Sequence, residues 1–444
     1  MTGAAGAQAV AAIFYVPTQL YNADPPGSRR LARYATPMRT VRSLRPEDHD
    51  RHAPIYTVWE LTLRCDHACA HCGSRAAPTA GQVRPDELTT AELLDVAAAL
   101  VRLGTREVTL IGGEAYLRPD VYEIVAYLHA NGIRVTMQTG GLAFTPERAR
   151  RFREAGLAAV GVSIDGPAEA HDTLRARPGS LAAALRALDA ARAEGLITTS
   201  NMQVNQLNRH LLRETCQLVK ERGVRVWRPQ LTVPMGRAAD HPEWILQPWM
   251  VLEVIDTLAA LQVEAITEAR VAGTPPGLAF HILAANNVGY FGPHEQLLRS
   301  RPGGTEAWWA GCNAGKFVLG IESDGVVKGC PSLPTAPYVG GNVRDLALDQ
   351  IWNEAPELAF TRKLGTEELW GRCQSCYYAD ICKAGCNFTA HCTLGRRGNN
   401  PFCYYRADQL RKQGLRERLV PVEQARGLPY DFGRFELHDE AWEG

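Results

Sequence analysis

Three thiols lie within eight residues of the stretch "RCDHACAHCGSR" (64–75): Cys65, Cys69 and Cys72. Thiolates this close can wrap one metal centre, yet three is one fewer than the four ligands most small centres take. A three-cysteine structural zinc site is the plainer alternative. The chain has twelve cysteines in 444 residues. In a reducing compartment, such spacing reads as metal ligation before disulfides. Cys216 stands alone in the helical pattern "LLRETCQLVKER" and reads as a small buried apolar residue, and the other eight cysteines fall between 312 and 403. In "LIGGEAYLRPD" a glycine pair, Gly112 and Gly113, precedes Glu114. Alone, such a pair marks only a strand-to-helix turn.

Elements to position these residues recur from about 55 to 232. Strand-like runs "IYTVWELTL", "EVTLI", "RVTMQ", "AAVGVSI", "TTSNMQV" and "VRVWRPQL" alternate with helical patterns such as "AELLDVAAALVRL" and "VYEIVAYLHA". Gly104, Gly132, Gly156, Gly195 and Gly223 each stand where a helix should stop. Thr89 with Glu92 fits a capping box, and Thr145 before Pro146 fits an N-cap. Six β–α units in series predict an α/β fold with a parallel sheet, either open and doubly wound or a partly closed barrel. Chemistry in such folds gathers at the C-terminal ends of the strands, where the three cysteines fall. Lys+Arg and Asp+Glu both total 48, which leaves no basic field for nucleic acid or an anionic membrane. No apolar run of about twenty residues predicts a span, and the N-terminus lacks the basic region of a secretion signal. The expectation is a cytoplasmic protein.

C-x3-C-x2-C after the first strand resembles the cluster loop of the radical SAM enzymes. The resemblance implies a partial (β/α)6 TIM-like barrel. It also implies that Cys65, Cys69 and Cys72 hold three irons of a [4Fe–4S] cluster, while S-adenosylmethionine chelates the fourth. One electron from the cluster would cleave the cofactor to a 5′-deoxyadenosyl radical. The family usually has an aromatic residue before the third cysteine; here it is His71. Gly112, Gly113 and Glu114 match the family's GGE segment, the glycines admitting the methionyl group and Glu114 accepting from its ammonium. "VSIDGP" resembles the ribose-contacting strand end, with Ser163 and Asp165 as candidates. Arg175 or Arg177 of "HDTLRARPGS" could reach the cofactor carboxylate. "WRPQLTVPMGRA" resembles the segment near the adenine, with Gln230 as its candidate.

The second cysteine region, "CQSCYYADICKAGC" followed by "NNPFC", resembles the SPASM extension of the same superfamily, a small cysteine-rich domain that binds two auxiliary iron–sulfur clusters. The resemblance implies a distal cluster on Cys373, Cys376, Cys382 and Cys403, and a proximal one on Cys312, Cys330 and Cys386. Glu306 stands where some relatives carry a further cysteine, so either Cys392 completes the proximal site or an iron stays open. From spacing alone, a zinc ribbon would serve equally.

Expected units are an irregular N-terminal extension (1–50), a radical SAM core (51–240), a helical bridge (241–305), a SPASM domain (306–415) and a C-terminal tail (416–444). Relatives of this layout modify ribosomally made peptides, and a few act on tetrapyrrole side chains. Pro331 follows Cys330 where sulfatase-maturing relatives place an aspartate. The expected function is an oxidative peptide maturase with a precursor peptide, a flavodoxin- or ferredoxin-type electron donor and a separate peptide-recognition protein as partners. A tetrapyrrole side-chain modifier and a non-catalytic zinc-binding adaptor are the alternatives.

Overall fold

The computed structural model describes residues 41–78, 86–302 and 306–442. Residues 1–40 of the expected N-terminal extension lie outside the described residues. Ten strands form one sheet: β1 (Tyr56–Glu60), β2 (Glu107–Ile111), β3 (Arg134–Thr139), β4 (Ala159–Ser163), β5 (Ile197–Val204), β6 (Val226–Leu231), β7 (His281–Ile282), β8 (Val318–Ile321), β9 (Val326–Lys328) and β10 (Val339–Asn342). Their order is β10-β9-β8-β1-β2-β3-β4-β5-β6-β7, and β1 to β7 pair in parallel. Each of these strands adds to the same edge of the growing sheet. That is the winding of a (β/α) barrel; a doubly wound sheet would reverse its order midway. The first six strands match the expected runs, and the five helix-ending glycines carry positive φ between 71° and 96°. Thr89 and Glu92 exchange the capping-box bonds.

Alternate strand residues face opposite ways, and the two faces differ sharply. Trp59, Val108, Leu110, Val135, Met137, Val160, Val162 and Trp227 point outward and are buried with helix residues Leu93, Val96, Ile124, Leu128 and Leu188. The other face lines the lumen and is polar: Thr109, Thr136, Gln138, Ser163, Asn201, Gln203, Arg228 and Gln230. Two lumen layers are internally satisfied. Tyr56 donates to Thr109 (3.0 Å), whose hydroxyl meets Thr136 (2.8 Å), and Asn201 Nδ2 donates to Gln138 Oε1 (2.6 Å). A Cβ on Gly161 would lie 2.0 Å from Gln138 Oε1, so glycine there makes room for that amide.

Both later units of the chain contribute strands to the core sheet. The cysteine-rich region does not stand apart from the core, because β8 pairs in parallel with β1 (Tyr56↔Val318 to Trp59↔Ile321) and carries β9 and β10 onto the same sheet. The bridge over 241–305 is not only helical: after the helix Val251–Val271 it contributes β7 to the other edge of the sheet. The C-terminal tail forms an antiparallel hairpin, β11 (Leu415–Glu423) with β12 (Arg434–Ala441). Among the described residues no helix is long and apolar enough to cross a membrane.

Candidate functional site

The cysteine loop leaves β1 and is pinned from several elements. Arg237 binds the carbonyls of Cys69 and Ala76 (both 2.6 Å) and donates its backbone N–H to Cys72 (3.0 Å). Ala70 N–H bonds Leu174 O (2.9 Å). The tail loop between β11 and β12 closes over the same place. Tyr430 N–H donates to Gly73 O (3.2 Å), and its hydroxyl donates to Glu60. Arg75 holds Leu428 O and Asp431 (both 3.1 Å), as well as Asp240 (2.7 Å). Cys65 and Cys69 are buried and Cys72 is half-buried. Burial pushes the Cys69 thiol up to about 11, against the pull of Arg175. Buried thiols without a cation stay protonated, whereas metal ligation displaces those protons, so this donor set suits an iron–sulfur centre.

The GGE segment is stitched to that loop. Gly113 N–H donates to Thr62 O (2.7 Å) and Glu114 N–H to Arg64 O (2.8 Å). A Cβ on Gly112 would lie 2.4 Å from Thr62 O, and one on Gly113 would lie 2.1 Å from Arg64 O. The glycines therefore admit the chain's own cysteine loop, a reason different from the ligand approach expected of them. Gly113→Ala should cost about 1–3 kcal/mol by overpacking backbone against backbone. Thermal melting and iron retention after reconstitution should fall together; an unchanged melt would refute the contact.

Glu114 is sealed, accepting from Thr139 Oγ1 and Gly140 N–H (both 2.6 Å). Burial, then the charge of Asp66, pushes its carboxyl up to about 8. Among the described residues no cation pairs with it, so it suits a ligand ammonium. His67 is buried beside it, with Nδ1 3.1 Å from Asp66, and ligand atoms of Cys65, Asp66, His67 and Glu114 lie within 4.8 Å of one another. No ion-ligating role was expected of Asp66 or His67.

Two residues expected at the cofactor, Asp165 and Arg175, engage each other. Asp165 is fully buried and its oxygens are taken: Oδ2 by Arg175 Nε (2.8 Å) and Nη2 (2.7 Å), Oδ1 by Gln203 N–H (2.9 Å). Despite burial, Arg175 and the neighbouring histidines hold it at about 2. Arg175 spends its guanidinium on Asp165, with Nη1 3.8 Å from Cys69 Sγ. The pair is thus a buried brace between β4 and the cysteine loop. His71 joins it, bonding Leu174 O through Nδ1 (2.9 Å) with Nε2 3.6 Å from Asp165; burial lowers it to about 4. Ser163 and Gln230 remain half-buried on the lumen, and Arg177 is exposed.

In the second region Cys373, Cys376, Cys382 and Cys403 line one cavity of about 300 Å³ with Tyr290 and Tyr378. Cys312 and Cys330 pack against Leu333, Tyr338 and Phe360. Burial pushes Cys330 up to about 11 and Cys386 up to about 12, and in both the nearby Cys312 adds to it. Cys392, wholly buried, packs instead with Val233, Met235 and Tyr430. Cys216 is buried in the main core, as expected. All twelve cysteines are free thiols.

Two family models match: the Radical SAM superfamily over residues 59–219 and the SPASM iron–sulfur cluster-binding domain over 312–377. Mycofactocin maturase MftC of Mycobacterium ulcerans is 32% identical over 397 residues, covering 86% of this chain and 96% of that protein. The AdoMet-dependent heme synthase of Methanosarcina barkeri is 31% identical over 357 residues, covering 80% and 97%. The structure of anSMEcpe with bound AdoMet superposes with a TM-score of 0.62 at 17% identity, covering 80% and 91%, which shows the shared fold. A polar-lumened barrel bearing C-x3-C-x2-C at its mouth, matched along nearly the whole length of two such relatives, belongs to the radical SAM superfamily, and this chain is a member with a SPASM region.

Proposed function

We propose that this enzyme oxidatively matures a ribosomally made peptide. The reading is supported by its similarity to mycofactocin maturase over 96% of that protein's length. S-adenosylmethionine and three iron–sulfur clusters are its cofactors, and at the first cluster the bound cofactor supplies hydrogen abstraction from substrate. In this reading Cys65, Cys69 and Cys72 hold that cluster, Glu114 receives the ammonium, and Ser163 and Gln230 meet the nucleoside. Cys373, Cys376, Cys382 and Cys403 hold the distal cluster, and Cys312, Cys330 and Cys386 the proximal one. Cys392 packs with Val233, Met235 and Tyr430, apart from the apolar cluster that Cys312 and Cys330 pack against, and Cys386 is the cysteine that acts on it. An electron donor of flavodoxin or ferredoxin type and a separate recognition protein complete the system, in the cytoplasm.

Tetrapyrrole modification is the second reading, supported by the heme synthase similarity over 97% of that protein. Co-expression with each short open reading frame adjoining the gene, followed by mass spectrometry, tests the first. The expected result is a peptide whose mass drops by the hydrogens removed. Unmodified peptides, together with turnover of an iron porphyrin carrying propionates, would overturn it in favour of the second.

A further inference from the structure

One charged strand residue of the lumen has no partner for its side chain among the described residues. Arg228 lies on β6 level with Asn201 of β5 and Ser163 of β4. Its neighbours Trp227 and Leu231 take the outward, helix-facing side. That alternation turns Arg228 into the lumen, and the charges that act on it are Tyr56 of β1 together with Arg42, Arg301 and Arg299. It therefore reaches across the lumen toward the first strand.

Several other polar groups in this space are partnered. Tyr56, Thr109 and Thr136 form one chain, Asn201 and Gln138 another, and Glu107 takes both Arg42 (Nε, 2.9 Å) and Arg134 (3.1 Å). Arg299 spends its guanidinium on Glu295 and the carbonyls of Ala285, Val288 and Gly289. The Arg228 side chain makes no ion pair or hydrogen bond among the described residues, and its Nε is sealed from solvent without a partner. Among the described residues Arg301 likewise has no ion pair, and Glu107, already held by Arg42 and Arg134, is the acid that acts on it. Burial beside these like charges depresses the Arg228 guanidinium. Arg228 is half-buried, with its Nε sealed and unpartnered, and the planar fork of a guanidinium matches a carboxylate bidentately.

We propose that Arg228 is the lumen's anion receptor and pairs with a carboxylate of the substrate. This rests on the reading that the substrate enters the barrel lumen, and both candidate substrate classes can offer the group: a peptide through its C-terminus or acidic side chains, a tetrapyrrole through its propionates. Sequence alone could not single it out, since "WRPQL" reads as an ordinary strand with a surface charge.

The test uses cluster-loaded enzyme with S-adenosylmethionine and two paired probes: iron coproporphyrin III against its methyl ester, and a pool of short random peptides as C-terminal acids against the same pool as amides. At least one acid should bind about tenfold or more tighter than its neutral counterpart. Arg228→Gln should erase that preference and Arg228→Lys should restore part of it. Preference for the porphyrin acid alone would keep the receptor while overturning the peptide reading; preference for the peptide acids keeps both. Acid and neutral forms binding alike, neither acid binding, or an unchanged preference in Arg228→Gln would each overturn the receptor. Arg228→Met should also raise the melting temperature by about 2 °C, because it removes a half-buried, unpaired charge that faces other arginines. A lower melting temperature would mark a structural role and overturn the proposal too.

Discussion

Replacing Cys65, Cys69 and Cys72 together by alanine should abolish reductive cleavage of S-adenosylmethionine while the second cysteine region keeps its metal. The three thiols share one loop, whereas Cys373, Cys376, Cys382 and Cys403 line a separate cavity. Iron should fall by about four per chain, the content of one cubane cluster. 5′-Deoxyadenosine formed with dithionite should drop to background. Cleavage that survives the triple substitution would remove this loop from the chemistry. Loss of all iron would mean instead that the two regions assemble as one unit. Zinc without sulfide in the unaltered chain would favour the adaptor reading.

Arg406→Ala should cause the largest loss of stability at a single side chain. Arg406 and Glu417 are both buried and joined by two bonds of 2.6 Å, Nε to Oε2 and Nη2 to Oε1. The same guanidinium also binds Asn399 (2.6 Å) and the Asn400 carbonyl (3.1 Å), and it lines the cavity of the distal cysteines. Breaking a buried pair leaves an uncompensated charge, at a cost of about 3–5 kcal/mol. Arg372, 3.0 Å from Glu417, softens that penalty, so the lower end is expected. Denaturant unfolding of the cluster-loaded enzyme measures it. Arg406→Met combined with Glu417→Leu should recover most of the loss, because the buried carboxylate leaves with its partner. A double variant as unstable as the single one would show that the hydrogen bonds to Asn399 and Asn400 matter more than the charge pair.

These two sites differ in how far local sequence foretells them. The cysteine loop, the GGE segment and the spacing of the distal cysteines are local patterns, because a few consecutive residues must wrap one object. The same holds for the strands: "EVTLI" is β2 residue for residue, since alternation and a following helix cap act over less than ten residues. Helix ends at Gly104 and Gly223 follow from the left-handed conformation needed there.

Other features depend on partners far along the chain. Asp165 looked like a free strand-end acid until Arg175, His71 and the Gln203 amide were seen to surround it. The Arg406–Glu417 pair is invisible in a sequence, since nothing local separates a buried charge pair from two surface charges. Tyr430, in a tail with little readable pattern, reaches Gly73 and Glu60 only because β11 and β12 turn it back over the barrel. The sequence by itself determined the series of parallel β–α units, the three-thiol loop and the second cysteine frame, all of which arise from short-range periodicity and spacing, whereas strand order closed the choice between open sheet and barrel. Tertiary structure alone decided which charges are braced and which stay unpaired: Asp165 and Arg175 satisfy each other, while Arg228 is left waiting in the lumen. A charge's role is set by what the fold brings within about 4 Å of it, and that distance is not written in the chain.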